Sequence, residues 1–336
     1  MRETLSKRIT LRTHQRHLAM KATRNFFDRQ GFIEVDAPAL ILANCVEAHI
    51  DPIEVSVDLG SGHGKQKRYL QTSPEIYHKR LLSHGLPQIY QLSHVFRNGE
   101  YGQRHLPEFS LLEWYRAGAT LEDLISDCEQ LFVEISDAIS GSAVNFLKPF
   151  ERITLETLWK EKAGIDLRQA LVQMDQGDHL ALVRSVQAAG LYLRDGANFE
   201  DAFHHVMLTQ IEPNIGQERP CVVMQWPRQL AALARINERD HLFADRFEIY
   251  FQGLEIANAF DELIDPNEQK KRFENEAQSR CREGKPGLPM NQIFLSDLSC
   301  LPPSAGIAVG FDRLLMLILG SKEIENVLSL PWLEGN

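Results

Sequence analysis

The segment Phe96–Phe109 reads FRNGEYGQRHLPEF, and it is the most informative stretch of this 336-residue sequence. It is polar, and it connects two apolar stretches, Gln88–Arg97 and Glu108–Arg116, whose residue types favour β-structure. The pattern predicts two strands joined by a polar loop. Because most polar loops are simply exposed to solvent, the function of this one depends on the segments around it.

Helical and strand-like segments alternate along the rest of the chain without the regular β-α-β order of a parallel sheet. Apolar residues at helical spacing predict helices over 11–30, 74–83, 120–140 and 266–284. Apolar–polar alternation predicts strands over 32–36, 246–259 and from Ser304, and a hairpin over 53–72. Together these patterns indicate an α+β fold, in which residues 141–245 form a mainly helical insertion.

Composition and charge exclude several classes of protein. Lys and Arg number 36 against 46 Asp and Glu, and the net charge of −10 disfavours non-specific nucleic-acid binding, which needs clustered cations. The cysteines are scattered without a C-x-x-C pair, as in reduced cytoplasmic proteins. The sequence contains neither a signal peptide nor an apolar run long enough to span a membrane.

Three ordered segments carry a resemblance to a known family. They are Gly31-Phe-Ile-Glu-Val-Asp-Ala-Pro38, Phe96-Arg97 with His105–Phe109 and Glu113-Trp-Tyr115, and Gly306-Ile-Ala-Val-Gly-Phe-Asp-Arg313. In that order they resemble motifs 1, 2 and 3 of the class II aminoacyl-tRNA synthetases. The resemblance implies a synthetase-like catalytic domain with an antiparallel sheet flanked by helices. It also implies a homodimer formed through motif 1.

Other segments resemble the lysine-specific branch of that class. Two stretches are similar to its lysine-pocket segments: Ser73-Pro74-Glu75 followed by His78-Lys79-Arg80-Leu81, and Gly253–Leu263. Two details, Ser73 before Pro-Glu and the stretch Ile211–Gly216, are similar to the elongation factor P (R)-β-lysine ligases, a truncated paralogous family. Because the motif 1 helix begins near residue 11, we expect residues 1–336 to be one catalytic domain without an anticodon-binding domain. The insertion over 141–245 would belong to that domain.

The resemblance implies ATP and Mg²⁺ as cofactors. Arg97 and Arg313 are the implied catalytic residues, since a guanidinium matches the oxygens of a phosphate. Glu255 is the implied Mg²⁺ ligand, because Mg²⁺ prefers carboxylate oxygens. The full set of implied ATP contacts is Arg97, Asn98, Gly99, His105, Leu106, Phe109, Glu255, Ile256, Gly310 and Arg313.

The resemblance also implies a pocket for a diamino acid, (R)-β-lysine, whose ammonium groups need acceptors once they are desolvated. Glu75 would face the amino group nearer the carboxylate, and Glu113 with Glu262 the distal ammonium. Ala308 replaces a glycine of lysyl-tRNA synthetases and would shape the pocket floor. The implied substrate contacts are Ser73, Pro74, Glu75, Glu113, Tyr115, Asn258, Glu262 and Ala308.

Two positions depart from the family pattern of ATP contacts. Motif 2 of the family reads Arg-Asn-Glu, whereas this chain has Gly99 after Asn98 and a glutamate only at Glu100. The family's His-Asn-Pro-Glu-Phe has leucine here, at Leu106, which cannot donate an amide hydrogen bond.

The resemblance as a whole implies a cytoplasmic ligase that activates (R)-β-lysine with ATP and transfers it to a lysine of elongation factor P. We expect no tRNA partner and no membrane association. One alternative is a lysine-activating synthetase paralogue that acylates tRNA or another amine. A second alternative is a catalytically silent sensor of nucleotides or amino acids, which the changes at Gly99 and Leu106 keep open.

Overall fold

The computed structural model describes residues 2–60 and 62–332, with side chains from residue 6 onward. It divides into two compact units. The first consists of the residues up to Asn145 together with those from Glu262 onward, and the second is Phe146–Asp261. The second unit begins at Phe146, close to the start of the helical insertion predicted over 141–245. That residues 1–336 form one domain containing this insertion stays a prediction.

The described residues contain helices and strands in the following order along the chain. The helices are α1 Arg2–Arg29, α2 Glu75–Ser83, α3 Leu121–Asp137, α4 Leu155–Leu158, α5 Leu167–Asp175, α6 Ala181–Ala188, α7 Phe199–Val206, α8 Pro266–Arg282, α9 Gln292–Leu298 and α10 Phe311–Ile318. The strands are β1 Ile33–Glu34, β2 Leu40–Ile41, β3 Glu54–Asp58, β4 Lys65–Leu70, β5 Gln88–Phe96, β6 Glu108–Ala117, β7 Glu151–Thr154, β8 Cys221–Pro227, β9 Phe243–Phe251, β10 Leu254–Asp261 and β11 Ser304–Gly310. Among the described residues, no helix combines the length and the apolar character needed to cross a bilayer.

In the first unit, the strands β1, β5, β6 and β11 pair side by side in that order. The pairs β5–β6 and β6–β11 are antiparallel, and β1 joins β5 in parallel. A second sheet consists of β2, β4 and β3, all antiparallel. The polar loop of motif 2 thus connects two antiparallel neighbours, and the predicted α+β class with a mainly antiparallel sheet is confirmed.

One face of the β5–β6 pair is buried by aromatic residues of α1. Phe27 stacks on Tyr90 with ring centroids 4.3 Å apart and lies 5.3 Å from Trp114. The Trp114 indole donates a hydrogen bond to Asp127 of α3, at 3.2 Å. Because successive strand residues point to opposite faces, burying Trp114 on this side leaves Glu113 and Tyr115 on the other.

The second unit contains the strands β10, β9, β8 and β7 in that order, with α4–α7 packed into an apolar cluster around Trp159 and Phe203. The prediction of one continuous strand over 246–259 is wrong, because two antiparallel strands, β9 and β10, occupy that region. They are joined at Gln252 and Gly253, which both have positive φ angles, 50° and 68°. A glycine at the second of these positions adopts the left-handed conformation without steric cost.

A buried ion pair in the first unit attaches α1 to the start of α10. The Arg16 guanidinium donates to Asp312 at 2.6 Å and to the Ser110 hydroxyl at 2.5 Å. The backbone N–H of Ser110 donates to the same carboxylate at 2.7 Å. Asp312, only 1% exposed, thereby connects α1, β6 and α10.

We predict that Arg16→Met lowers the free energy of unfolding by about 3 kcal/mol, because the buried Asp312 carboxylate loses its cation. The matched control is Arg24→Met, which removes a half-exposed pair with Glu34 and should cost less than about 1 kcal/mol. Urea unfolding monitored by tryptophan fluorescence measures both values. Equal losses in the two variants would contradict the prediction.

Candidate active site

The predicted site residues of β6 and β11 lie on one face of the sheet of the first unit. Residues directly opposite each other in antiparallel strands project to the same face. Tyr115 is paired with Gly306, and Glu113 with both Ala308 and Gln91. By the two-residue period of a strand, that face carries Phe109, Glu113 and Tyr115 of β6 together with Gly306, Ala308 and Gly310 of β11.

Glu113 is the centre of a buried hydrogen-bond network, and its side chain has no exposed surface. The hydroxyl of Ser73 donates to one carboxylate oxygen at 2.7 Å, and that of Tyr115 donates to the other at 3.0 Å. Burial, followed by the charge of Glu113, raises the pKa of Tyr115 well above its ordinary value. The phenol therefore remains a hydrogen-bond donor at neutral pH.

Lys79 joins the other two predicted substrate carboxylates. Its ammonium nitrogen lies 2.6 Å from Glu75 Oε1 and 2.5 Å from Glu262 Oε2, and its side chain is fully buried. Burial lowers the pKa of Lys79, but the carboxylates of Glu262 and Glu75 together raise it above its ordinary value. Burial also raises the pKa of Glu75, and the charge of Lys79 opposes that effect. The structure thus pairs these acids with a cation of the chain itself.

His78 connects the network to β5. Its Nε2 lies 2.9 Å from Gln91 Oε1, which also accepts the backbone N–H of Ala37 at 3.1 Å. Because an amide oxygen only accepts hydrogen bonds, Nε2 of His78 must carry the proton. The other ring nitrogen, Nδ1, lies 3.6 Å from the Glu113 carboxylate. His78 is thus the second residue of α2, after Lys79, with a nitrogen atom near the buried carboxylates.

Gly306 leaves the space that Tyr115 and Glu262 occupy. A Cβ atom at position 306 would lie 2.2 Å from Tyr115 Cε1 and 2.4 Å from Glu262 Oε1. Contacts that short do not occur between non-bonded atoms, so any larger residue at this position would force the side chains of Tyr115 and Glu262 to shift. Packing within the first unit therefore explains the first glycine of motif 3.

The two predicted catalytic arginines lie beside aromatic partners. The Arg97 guanidinium is 5.1 Å from the centre of the Phe109 ring and 3.8 Å from Glu100. Its Nε atom is buried and has no hydrogen-bond partner among the described residues. Arg313 at the start of α10 lies 2.5 Å from Nε2 of His105. The structure therefore brings together four of the predicted nucleotide contacts, in the pairs Arg97–Phe109 and Arg313–His105.

The two departures from the family pattern have different structural settings. Gly99 has φ +80°, and no described atom lies within 4 Å of the place that a Cβ would take, so the glycine fits an open left-handed turn that a glutamate would strain. Asn98 beside it is exposed. Leu106 is 1% exposed, and Ile256 is also buried, so both of these predicted ATP contacts have core side chains.

In the second unit, a β-bulge brings Glu255 and Asn258 to one face of β10. Glu255 is paired with Tyr250 and Asn258 with Glu248, with a register shift between Glu255 and Ala257. Without the extra residue, positions three apart in a strand would point to opposite faces. The bulge thus aligns the predicted metal ligand with a predicted substrate contact.

Arg246 fixes the orientation of Asn258 in the second unit. Its Nε donates to Asn258 Oδ1 at 3.1 Å, and its guanidinium lies 4.4 Å from the Trp226 ring centre. Since the Asn258 oxygen is thereby engaged, the amide presents N–H donors to a ligand. Arg246 also binds Glu248, and burial is the first cause that raises the pKa of Glu248 to about 7.

Sequence reasoning assigned no individual role to three residues that organise these groups, Lys79, Arg16 and Arg246, although Lys79 lies in a segment that resembles the lysine pocket. The spacing of Glu75 and Lys79 at i and i+4 on a helix carried a signal for their ion pair. The contact of Lys79 with Glu262 had no such signal, because the two residues are far apart in sequence. The assignments of substrate, nucleotide and metal contacts stay predictions.

We predict that Gly306→Ala lowers the free energy of unfolding by about 1–3 kcal/mol, because the added methyl group displaces Tyr115 and Glu262. Gly310→Ala is the control on the same strand, since its Cβ would make only ordinary contacts of 3.5 Å or more with Arg313. Urea unfolding of both variants is the measurement. A loss at position 310 as large as that at 306 would refute this account of the packing.

Comparison with known proteins identifies the family. A family model for tRNA synthetases class II (D, K and N) matches residues 1–334. Proteins named elongation factor P--(R)-beta-lysine ligase from Salmonella paratyphi B, Salmonella schwarzengrund and Salmonella choleraesuis are each 34% identical to this chain. The match extends over 319 residues, 94% of this chain and 93% of each relative. This chain therefore belongs to the class II tRNA synthetases of the D, K and N group.

Proposed function

We propose that this chain is an ATP-dependent ligase that activates (R)-β-lysine as its adenylate and transfers it to a lysine of elongation factor P. The names of its relatives support this reaction. The observation that carries the proposal is a group of three buried carboxylates, Glu75, Glu113 and Glu262. Lys79 joins Glu75 to Glu262, and Tyr115 lies beside Glu262 and donates to Glu113. Buried acids at such a position suit a substrate that brings positive charge with it.

The two amino groups of the substrate bind to this acidic group. Glu75 retains a small exposed area, whereas Glu113 and Glu262 are sealed, so the amino group nearer the carboxylate binds at Glu75 and the distal ammonium lies deeper. Tyr115, which already donates to Glu113, orients that carboxylate. A substrate of the same length with a neutral end would leave these acids without a positive charge to bind, and for that reason the pocket rejects such a substrate.

Arg97 binds oxygens of the α-phosphate of ATP, the group that the substrate carboxylate attacks. Its buried Nε has no hydrogen-bond partner in the part of the chain that the structure describes, and the Phe109 ring beside it holds the guanidinium plane in place. Attack of the substrate carboxylate on the α-phosphorus of ATP places negative charge on phosphoryl oxygens, which a fixed guanidinium stabilises. Arg313, with His105 beside it, binds the terminal phosphate, and adenine stacks on Phe109.

Mg²⁺ would be held by Glu255 together with the phosphates of ATP. Among the described residues there is no group of three or more His, Cys, Asp or Glu side chains that could enclose a metal ion. That result fits Mg²⁺, which is commonly held by one or two carboxylates plus substrate phosphates and water. When bound, the ion neutralises phosphate charge, and Glu255 positions it.

Asn258 binds the carboxylate of the substrate rather than an ammonium group. Arg246 occupies its carbonyl oxygen, so the amide N–H groups are the ones that face a ligand. Amide donors match a carboxylate and repel an ammonium.

Elongation factor P supplies the acceptor amine, and tRNA is not a substrate. The net charge of −10 gives little electrostatic affinity for an RNA backbone, which is bound largely through clustered cations.

The reaction belongs in the cytoplasm, consistent with five cysteines that form no disulfide in the described residues. An acceptor lysine with a pKa near 10.4 is neutral in only about four molecules per ten thousand at pH 7, so transfer requires its deprotonation.

The acceptor is tested by parallel acylation assays with ATP, Mg²⁺ and labelled (R)-β-lysine, using either elongation factor P or lysine tRNA. We expect label on the protein and none on the tRNA. Label on tRNA alone would overturn the proposal in favour of a synthetase. Adenylate formation with label on neither acceptor would refute the assignment of elongation factor P.

Ala308 is the residue we expect to favour β-lysine over α-lysine. Its methyl group projects from β11 opposite Glu113, on the face that carries the acids. We predict that Ala308→Gly shifts the ratio of kcat/KM toward α-lysine by about tenfold, since one carbon of pocket volume is worth ~1–3 kcal/mol of discrimination. Pyrophosphate exchange with the two diamino acids measures the ratio. An unchanged ratio would contradict the role of this methyl group.

The active form is a homodimer associated through motif 1. The motif 1 region of the first unit exposes several large apolar side chains: Leu11, Ile33, Leu40 and Leu42. Exposed apolar residues clustered in one sequence region favour a protein interface. We predict a sedimenting mass of about 77 kDa, twice the 38.3 kDa of one chain, at micromolar concentration. A monomer at that concentration would refute the dimer.

A further inference from the structure

Lys79 is a buried cation that the proposed reaction does not yet use. Its side chain has no exposed surface, and its ammonium lies within 2.6 Å of both Glu75 and Glu262. An ammonium without counter-charges could not remain ionised at such a position, since desolvation costs far more than folding supplies. Its two carboxylates keep it charged, and it in turn acts on them.

The charged and titratable groups around Lys79 come from several elements. They are Glu75 and His78 of α2, Glu113 and Tyr115 of β6, Glu262 after β10, and Cys45 before β3. Burial raises the pKa values of the Tyr115 hydroxyl and the Cys45 thiol well above their ordinary values, so both groups are neutral. Leaving His78 aside, the three carboxylates and the Lys79 ammonium carry a formal charge of −2.

We propose that Lys79 is a positioning residue for diamine recognition, which keeps all three carboxylates ionised before the substrate binds. This inference rests on the proposed function, since a charge of −2 matches the two ammonium groups of a diamino acid. Without the Lys79 ammonium, three neighbouring carboxylates in a dry site would not all ionise, and one would take up a proton. The substrate would then have to displace that proton.

The geometry separates this role from that of an ordinary helix ion pair. A surface pair at i and i+4 joins two residues of one helix and contributes little. Lys79 instead reaches from α2 to Glu262, and both acids are predicted to contact the substrate. A purely structural ion pair would affect stability without changing how substrate binding depends on pH.

The test is the pH dependence of KM for (R)-β-lysine in ATP–pyrophosphate exchange, measured from pH 6 to 8. For Lys79→Met, we expect KM relative to the wild type to rise by about tenfold or more on going from pH 8 to pH 6, because binding must release a proton. Lys79→Arg, which retains the charge, should restore the wild-type profile. The matched control is Lys270→Met on α8, which removes an exposed Lys–Glu pair and should leave the profile unchanged.

The outcomes distinguish this inference from the proposed function. A Lys79→Met variant whose KM follows the wild-type pH profile would overturn the role of Lys79 and leave the ligase intact. Absence of exchange by the wild type with (R)-β-lysine would overturn both. If Lys79→Met does not fold, calorimetry of (R)-β-lysine binding to the wild type in two buffers provides the test. Binding without proton release at pH 7 supports the inference, and release of about one proton overturns it.

Discussion

The register of β6 against β11 is the constraint on which the candidate site depends. It sets Gly306 opposite Tyr115 and Ala308 opposite Glu113. The small residues of β11 thereby leave room for the larger functional side chains of β6. A slip of one residue would turn Glu113 into the core beneath the sheet and bring Trp114 to the site. The packing of Trp114 beneath the sheet, against Phe27 and Asp127, excludes that slip.

Electrostatics then gives this face its chemical character. Three acids that are buried together would destabilise the fold unless cations offset them, and the chain supplies Lys79 for part of that charge. The formal charge of −2 that results for the three acids and Lys79 favours a cationic substrate. Under the proposed function, the residues that would recognise the substrate therefore also determine the stability of the first unit.

Local patterns in the sequence were enough to predict much of the fold. The polar loop between β5 and β6, the helix after Pro74 and the passage from β11 into α10 all follow from apolar periodicity and from proline and glycine positions. The hairpin at Gln252 and Gly253 was missed, although the apolar alternation changes phase between Phe251 and Leu254 and a glycine lies in the gap. The family resemblance, carried by residues such as Arg97 and Arg313, provided the candidate site.

Features that depend on contacts between distant residues could not be predicted in this way. The bulge that aligns Glu255 with Asn258 shows in the sequence only as a break in the alternation of β10, where Ile256 and Ala257 are adjacent. The pairing of Lys79 with Glu262 joins positions far apart in the chain, and the orientation of Asn258 depends on Arg246 of the neighbouring strand. Leu106 stands out in the sequence as a change in an ATP contact, whereas in the structure its side chain fills the core.

ATP–pyrophosphate exchange by the wild-type protein with (R)-β-lysine and with norleucine tests the diamine specificity of this site most directly. The two compounds differ in the charge at the end of the chain and in the position of the amino group, and 3-aminohexanoic acid controls for the second difference. We expect exchange with (R)-β-lysine to exceed that with either analogue lacking the terminal ammonium by about 10⁴-fold in kcat/KM. An apolar end leaves the buried acids without a cationic ligand. Comparable exchange with all three compounds, or none with (R)-β-lysine, would contradict this account.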